Sequence, residues 1–276
     1  MNDLGGASVW LRGIGVCGSE LNTWPNARAV LRGEASLPAQ AAPIPLCPRL
    51  PAAERRRASK VVNIAMSAGL EAVASAGLDA ATLATVFATS GADGENCHAI
   101  CVALASPDSG DHLLSPTRFH NSVTNAAAGY WAIATGAMAS STTLTTYDGG
   151  FSAALLEAYV ALLTGTPDIL VTVFEAPYPE PLHSKRPIGS SLGVALALSA
   201  DAGPGRLARL PLARLRLALT DDTPDRMASG SLEQIRCSSP PARGLPLLDR
   251  IARGHHGIIR LDYLDDLRLA IEVEPT

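Results

Sequence analysis

The chain has 276 residues, of which 47% are apolar and 17% charged, with a net charge of −4. That length supports one or two domains with a full hydrophobic core, and the composition excludes a disordered chain. The slight acidity and the lack of a long basic stripe exclude a nucleic-acid footprint, so no nucleic-acid partner is expected. Met1 to Val16 has no basic leader followed by an apolar stretch, and every apolar run is interrupted before it could cross a bilayer. The expectation is a cytoplasmic protein without a membrane span.

In chain order, Val9 to Val16 reads as a strand, and Trp24 and Val30 to Gly33 belong to a short helix or turn after it. Ala35 to Pro51, rich in Pro and Ala, reads as a loop. Ala52 to Gly77 is predicted as one helix, with apolar faces from Val62, Ile64, Met66, Leu70 and Val73. Leu83 to Ser90 is a buried strand, Glu95 to Leu104 a helix, and Ala105 to Asp111 a polar loop. Asn125 to Met138 is an Ala-rich helix, and Thr142 to Thr146 a run of strand-favouring residues. After the turn at Asp148-Gly149-Gly150, Ser152 to Leu163 is a helix stopped by Gly165 and Pro167. Strands follow at Ile169 to Phe174, Gly193 to Ala200 and Leu212 to Leu219, then a helix at Leu245 to Arg253 and short strands at Ile258 to Leu261 and Arg268 to Val273. Alternating strands and helices define an α/β protein with part of its sheet parallel.

Several motifs resolve into structural readings. Five cysteines, Cys17, Cys47, Cys97, Cys101 and Cys237, are an odd number in a long chain and do not form a disulfide framework. Cys97 and Cys101 share a helix face, but no second Cys or His pair completes a zinc set, so neither metal nor cofactor is expected. Gly13-Ile14-Gly15-Val16-Cys17-Gly18 fits the glycine pattern of dinucleotide-binding loops, yet no helix opens directly after it; a structural role in the strand is the better reading. His255 and His256 are adjacent and would point apart on a strand. Gly150-Phe151-Ser152-Ala153-Ala154 lacks the second glycine of a hydrolase nucleophile elbow.

The corner at residues 142–155 nevertheless resembles the β-ketoacyl synthases of the thiolase-like superfamily, in which a buried strand runs into Ala-Cys-x-x-Gly and a helix begins at the cysteine. The carriers of the resemblance are Gly13-Ile14-Gly15, Trp24 with Leu31-Arg32-Gly33, Ser115-Pro116-Thr117-Arg118-Phe119, and Ser122-Val123 with Asn125-Ala126-Ala127-Ala128-Gly129. They span roughly residues 7 to 200, and the local match at 115–129 is close to short synthase-like proteins of aryl polyene and xanthomonadin-type pigment pathways.

Matching Ala153-Ala154-Leu155 to the family's segment puts Tyr147 and Asp148 on the Ala-Cys pair and Phe151 on the glycine. An aspartate is a weak nucleophile toward thioesters, and acylation would give a reactive anhydride. The family's later histidine motifs are also missing after Asp201.

The resemblance therefore implies a thiolase-like fold: a ketosynthase N-terminal half over residues 1–200, a mixed sheet with helices on both faces, and a short divergent segment, 201–276, completing or capping it. It implies no catalytic residue, with Asp148 at the vestigial position, and a chain-length-factor-like role beside a ketosynthase subunit in a heterodimer, which an acyl carrier protein would reach through the complex. Thr142, Thr143, Leu144, Thr145, Thr146 and Tyr147 are the interface candidates. Leu104, Leu113, Leu114 and Phe119 are the candidates for setting how long an acyl chain fits, and Arg55 to Arg57 could meet an acidic carrier. The alternatives are an acyl-transfer enzyme using Asp148 or Ser152, and a purely structural pathway subunit.

Overall fold

The computed structural model describes residues 6–106, 114–201 and 210–276. In chain order it contains β1 (Val9–Gly18), α1 (Trp24–Arg32), α2 (Ala52–Arg57), α3 (Lys60–Ala76), β2 (Ala84–Thr89), α4 (Gly94–Ala105), α5 (Pro116–Asn121), α6 (Ala126–Thr135), β3 (Ser141–Thr145), α7 (Gly150–Leu163), β4 (Asp168–Glu175), α8 (Leu182–Lys185), β5 (Leu192–Ser199), β6 (Ala213–Thr220), α9 (Gly230–Ser238), α10 (Leu245–Arg253), β7 (Gly257–Asp262) and β8 (Arg268–Pro275). The strands form one mixed sheet in the order β3-β2-β4-β5-β1-β6-β8-β7. β2 pairs in parallel with β3 and with β4, and the other pairings are antiparallel.

Side chains two apart on a strand share a face, and this rule divides the core. Phe87, Leu170, Phe174, Ala195 and Ala197 pack with α3 and α6 on one face. Val86, Ala88, Val171, Val173, Val194 and Leu196 face the other way, into a core shared with α7, α10 and the strands β6 to β8. Helices thus lie on both faces of the sheet. On β6 the alternation becomes apolar-in, polar-out: Leu215 and Leu217 are buried, whereas Arg214 and Arg216 pair with Glu274 and Glu272 on the opposite side.

The glycine run in β1 has a steric explanation. A Cβ on Gly15 would lie 1.9 Å from the Ala68 carbonyl oxygen and 2.6 Å from the Ala72 nitrogen, and one on Gly13 would lie 2.2 Å from the Ala72 oxygen. These atoms are backbone of α3, so the glycines let the helix settle directly onto the strand.

Two sequence expectations change, and two short helices are added. The predicted helix at 52–77 is two helices, because Ala58 and Ser59 are extended and the Asn63 side chain donates to their carbonyls at 3.3 and 3.0 Å. Its Oδ1 also accepts from the Cys47 amide at 2.9 Å, so one buried asparagine fixes both the break and the preceding loop. The run 142–146 forms a strand one residue earlier, ending at Thr145, and Thr146 already turns toward the corner. The short helices α5 and α9 lie in stretches for which the sequence pattern assigns no element; α5 starts on Ser115, whose hydroxyl caps it, with Pro116 in its first turn. Residues 107–111 of the predicted loop lie outside the described residues.

Gly15→Ala is expected to cost about 3 kcal/mol or more, since it overpacks backbone against backbone. Gly129→Ala, on α6 with open space around it, is expected to be neutral or stabilising by about 0.5–1 kcal/mol. Urea denaturation of both variants checks the contrast.

Candidate functional site

β3 delivers the chain to a corner made of Tyr147, Asp148 and Gly149, a single 3-10 turn from which α7 departs. Tyr147 has φ +52°, a left-handed conformation that a non-glycine residue holds only when its surroundings impose it. The surroundings are specific. The Arg186 guanidinium lies 3.6 Å above the Tyr147 ring, and its Nη2 donates to Asp148 Oδ1 at 2.7 Å. A Cβ on Gly149 would sit 2.4 Å from the Tyr263 carbonyl oxygen, so the β7–β8 loop closes directly over the turn.

From Asp148 a file of alternating charges runs into the C-terminal segment. Arg243 approaches Asp148 at 3.8 Å and Asp262 at 3.3 Å; Asp262 also pairs with Arg236, which is held by Glu233 at 2.7 Å. The hydrogen bond from Arg236 pulls the Glu233 carboxyl down to about 2. Ser152, in the first turn of α7, is buried and donates to the Asp262 carbonyl at 2.6 Å, so its hydroxyl is committed to structure.

A cavity of about 580 Å³ opens at this corner between Thr146 to Gly149 and Tyr263 to Leu267. Among the described residues neither cysteine nor histidine lines it. Cys17 is buried and its thiol is pushed up to about 11 by desolvation; Cys97 is raised for the same reason. Both thiols are therefore poor nucleophiles near neutral pH.

The interface candidates lie together. β3 is the last strand of the sheet, and among the described residues no strand pairs with its outer side. Thr142, Thr143, Leu144 and Thr146 are half-buried, Thr145 is exposed, and Tyr147 is 61% exposed. The chain-length candidates are less enclosed than expected of tunnel walls: Leu104 on α4 is 49% exposed, Phe119 on α5 is 62% exposed, and Leu114 is half-buried. Leu113 lies outside the described residues.

The strongest buried polar cluster escaped the sequence reading. Glu175, at the end of β4, is fully buried and accepts from the Ser90 amide at 2.8 Å, the Ser90 hydroxyl, and the Thr89 hydroxyl at 3.3 Å. Tyr178 meets Ser90 at 3.1 Å. Burial raises the Glu175 carboxyl above the ordinary carboxylate range, against the pull of those donors. The available signal was a single charge closing the apolar run Ile169 to Phe174. His256, Glu272 and Glu274 approach one another within the span of a metal site. Arg214 and Arg216 already bond the two carboxylates, so the cationic charge is supplied from within the chain.

Comparison with known proteins accounts for this architecture. The profile of the family described as "Beta-ketoacyl synthase, N-terminal domain" matches residues 24–241. No curated protein matches the chain. Among solved structures, a ketosynthase (ApeO) in complex with its chain length factor (ApeC) from Xenorhabdus doucetiae is similar at 20% identity and TM-score 0.70, over 97% of this chain and 100% of the other. The ishigamide ketosynthase/chain length factor matches at 13% identity and TM-score 0.70, over 98% and 99%. A type II polyketide synthase carrier protein in complex with its ketosynthase (AntDE:AntF) matches at 13% and 0.74, over 98% and 99%. The fold is that of the thiolase-like ketosynthases.

Glu175 and Glu233 are expected to give opposite pH signatures. The Glu175 carboxyl is raised, so its contribution is fullest below the unfolded carboxylate value and is lost as pH rises through the folded one; the advantage of the native chain over Glu175→Gln shrinks over that interval. The Glu233 carboxyl is lowered to about 2, so its contribution is present above the unfolded value and is lost as pH falls toward 2; the advantage over Glu233→Gln grows with rising pH. Denaturant midpoints from pH 3 to 8 check both slopes.

Proposed function

Since the chain belongs to the β-ketoacyl synthase N-terminal domain family, we propose that it is a chain-length-factor-like subunit, non-catalytic itself, that pairs with an active ketosynthase making a fatty-acid or polyketide chain of the aryl polyene kind. In this reading residues 201–276 complete the same domain as residues 1–200, consistent with β6 and β8 continuing the sheet beyond β1. A carrier protein then meets this chain through the complex.

The observation that carries the proposal is the carboxylate at the mouth of α7. A condensing nucleophile must be a soft, exposed anion free to attack a thioester carbon. Asp148 is a hard anion whose Oδ1 is already bonded to Arg186, and neutralisation by a guanidinium lowers its nucleophilicity further.

The two ends of the sheet support the partner. At the β7 end the Arg260 carbonyl accepts from the Asp225 amide at 2.9 Å, the Arg260 amide donates to Asp225 Oδ2 at 2.7 Å, and Arg260 pairs with Asp222 at 2.8 Å. That edge is blocked by the chain's own loop, a usual defence against unwanted strand pairing. β3 carries no such cover among the described residues, and Tyr147 stands exposed at its end. An uncovered edge beside exposed aromatic surface fits an obligate subunit contact.

Co-expression with a ketosynthase encoded beside it tests the proposal. The two chains are expected to purify as a one-to-one complex, Leu144→Arg to break it, and Leu104 or Phe119 substitutions to change product length, while the free chain takes no acyl group from a thioester probe. A monomer that is acylated, with labelling lost in Asp148→Ala or Ser152→Ala, would overturn it.

A further inference from the structure

Away from the corner, α1 and α10 pack side by side, and a cavity of about 280 Å³ lies against them. Its lining includes three arginines, Arg28 and Arg32 from α1 and Arg253 from α10, together with Trp24 and Thr276, and among the described residues no acidic side chain. The spacing accounts for the convergence: Trp24, Arg28 and Arg32 follow one another at four-residue intervals and so stack along one side of α1.

Two of the arginines have structural work. Arg32 pairs with Glu34 at 2.6 Å, and Arg253 pairs with Asp249 at 2.9 Å and also donates to the Leu31 carbonyl near the end of α1. Both sit in the last turn of their helices, where a cation offsets the partial negative charge of the unpaired carbonyls. Arg28 has no such duty. It lies mid-helix, is exposed, and among the described residues makes neither an ion pair nor a hydrogen bond. Helix geometry alone would be served by a shorter or neutral side chain at that position.

We propose that this cavity binds a phosphate group, with Arg28 as its principal ligand, the remaining N–H groups of Arg32 and Arg253 as further donors, and the Trp24 indole packing against the molecule that carries the phosphate. Guanidinium forks approaching from two helices suit a tetrahedral oxyanion, which offers acceptors in several directions, better than a planar carboxylate, which one bidentate fork satisfies. The site lies outside the corner at Asp148 and is independent of the subunit pairing proposed above.

The test is titration of the full chain with inorganic phosphate, followed by calorimetry and tryptophan fluorescence, with malonate as the carboxylate probe and sodium chloride as the ionic-strength control. Saturable phosphate binding is expected, with Arg28→Ala weakening it at least about tenfold and Arg28→Lys by less, since the charge survives and the fork does not. Among the described residues Arg28 has no partner to lose, so the variant is expected to keep the native denaturation midpoint. No saturation below about 10 mM phosphate, an affinity unchanged in Arg28→Ala, malonate binding as tightly as phosphate, or a chloride effect of the same size would each overturn the proposal. Retained co-purification with a ketosynthase in Arg28→Ala keeps this outcome separate from that of the subunit proposal.

Discussion

Asp148 accepts a 2.7 Å hydrogen bond from Arg186 at the point where β3 turns into α7, and from that carboxylate a file of ion pairs ties the corner to the C-terminal segment. The first turn of a helix presents unpaired amides and a partial positive charge, so an anion is favoured there whether it is a catalyst or a structural group. Here the Asp148 carboxylate is bonded by Arg186 and approached by Arg243 at 3.8 Å. Arg186 stacks on Tyr147 while bonding Asp148, which helps hold the corner in its left-handed conformation. Arg243, Asp262, Arg236 and Glu233 extend the same alternation from the helix mouth to α9. Removing a link near the middle would leave a partly buried guanidinium without its counter-charge, which generally costs more than the pair itself contributes.

The ion file matters because backbone pairing between the two parts of the sheet is thin. β5 pairs with β1 from Trp10 to Gly18, whereas β6 meets β1 only at Val9, Trp10 and Leu11. A three-residue ladder is a weak hinge for three strands and two helices. What holds them is the shared core, in which Phe151, Leu155 and Ala158 of α7 join Leu245, Leu247 and Leu248 of α10. The non-directional burial provides most of the stability. The charge file supplies register, since Ser152 and Arg236 both require Asp262 in one place.

The strands were legible because burial on both faces leaves continuous apolar runs, as in Leu83 to Ser90 and Ile169 to Phe174, and burial on one face leaves alternation. The corner at 147–150 was legible because a strand-favouring run meets Asp-Gly-Gly. Side-chain partners were not. Arg186 is 38 residues beyond Asp148, and Ser90 is 85 residues before Glu175; neither pairing leaves a local trace. The break at Ala58 was hidden for a related reason: Ser59, the N-cap of α3, is a weak local signal inside a helix-favouring run, and the break is fixed by Asn63, which bonds the Ala58 and Ser59 carbonyls while receiving the Cys47 amide. Local propensity lost to a tertiary hydrogen bond.

The same contrast between local and distant causes separates the two ends of the sheet. At β7, Asp225 satisfies both backbone groups of Arg260, so that strand has no bonding capacity to offer there. At β3, threonines at 142, 143 and 145 give an edge that tolerates water yet can pair with another strand, because a threonine methyl packs and its hydroxyl hydrogen-bonds. A long apolar edge would aggregate, and a lysine-rich one would repel every partner. An edge of threonines ending in an exposed tyrosine lies between those extremes: it needs no cover of its own, and its selectivity must come from the side chains around it. Tyr147 is already oriented by Arg186, so less of its freedom remains to be lost on contact.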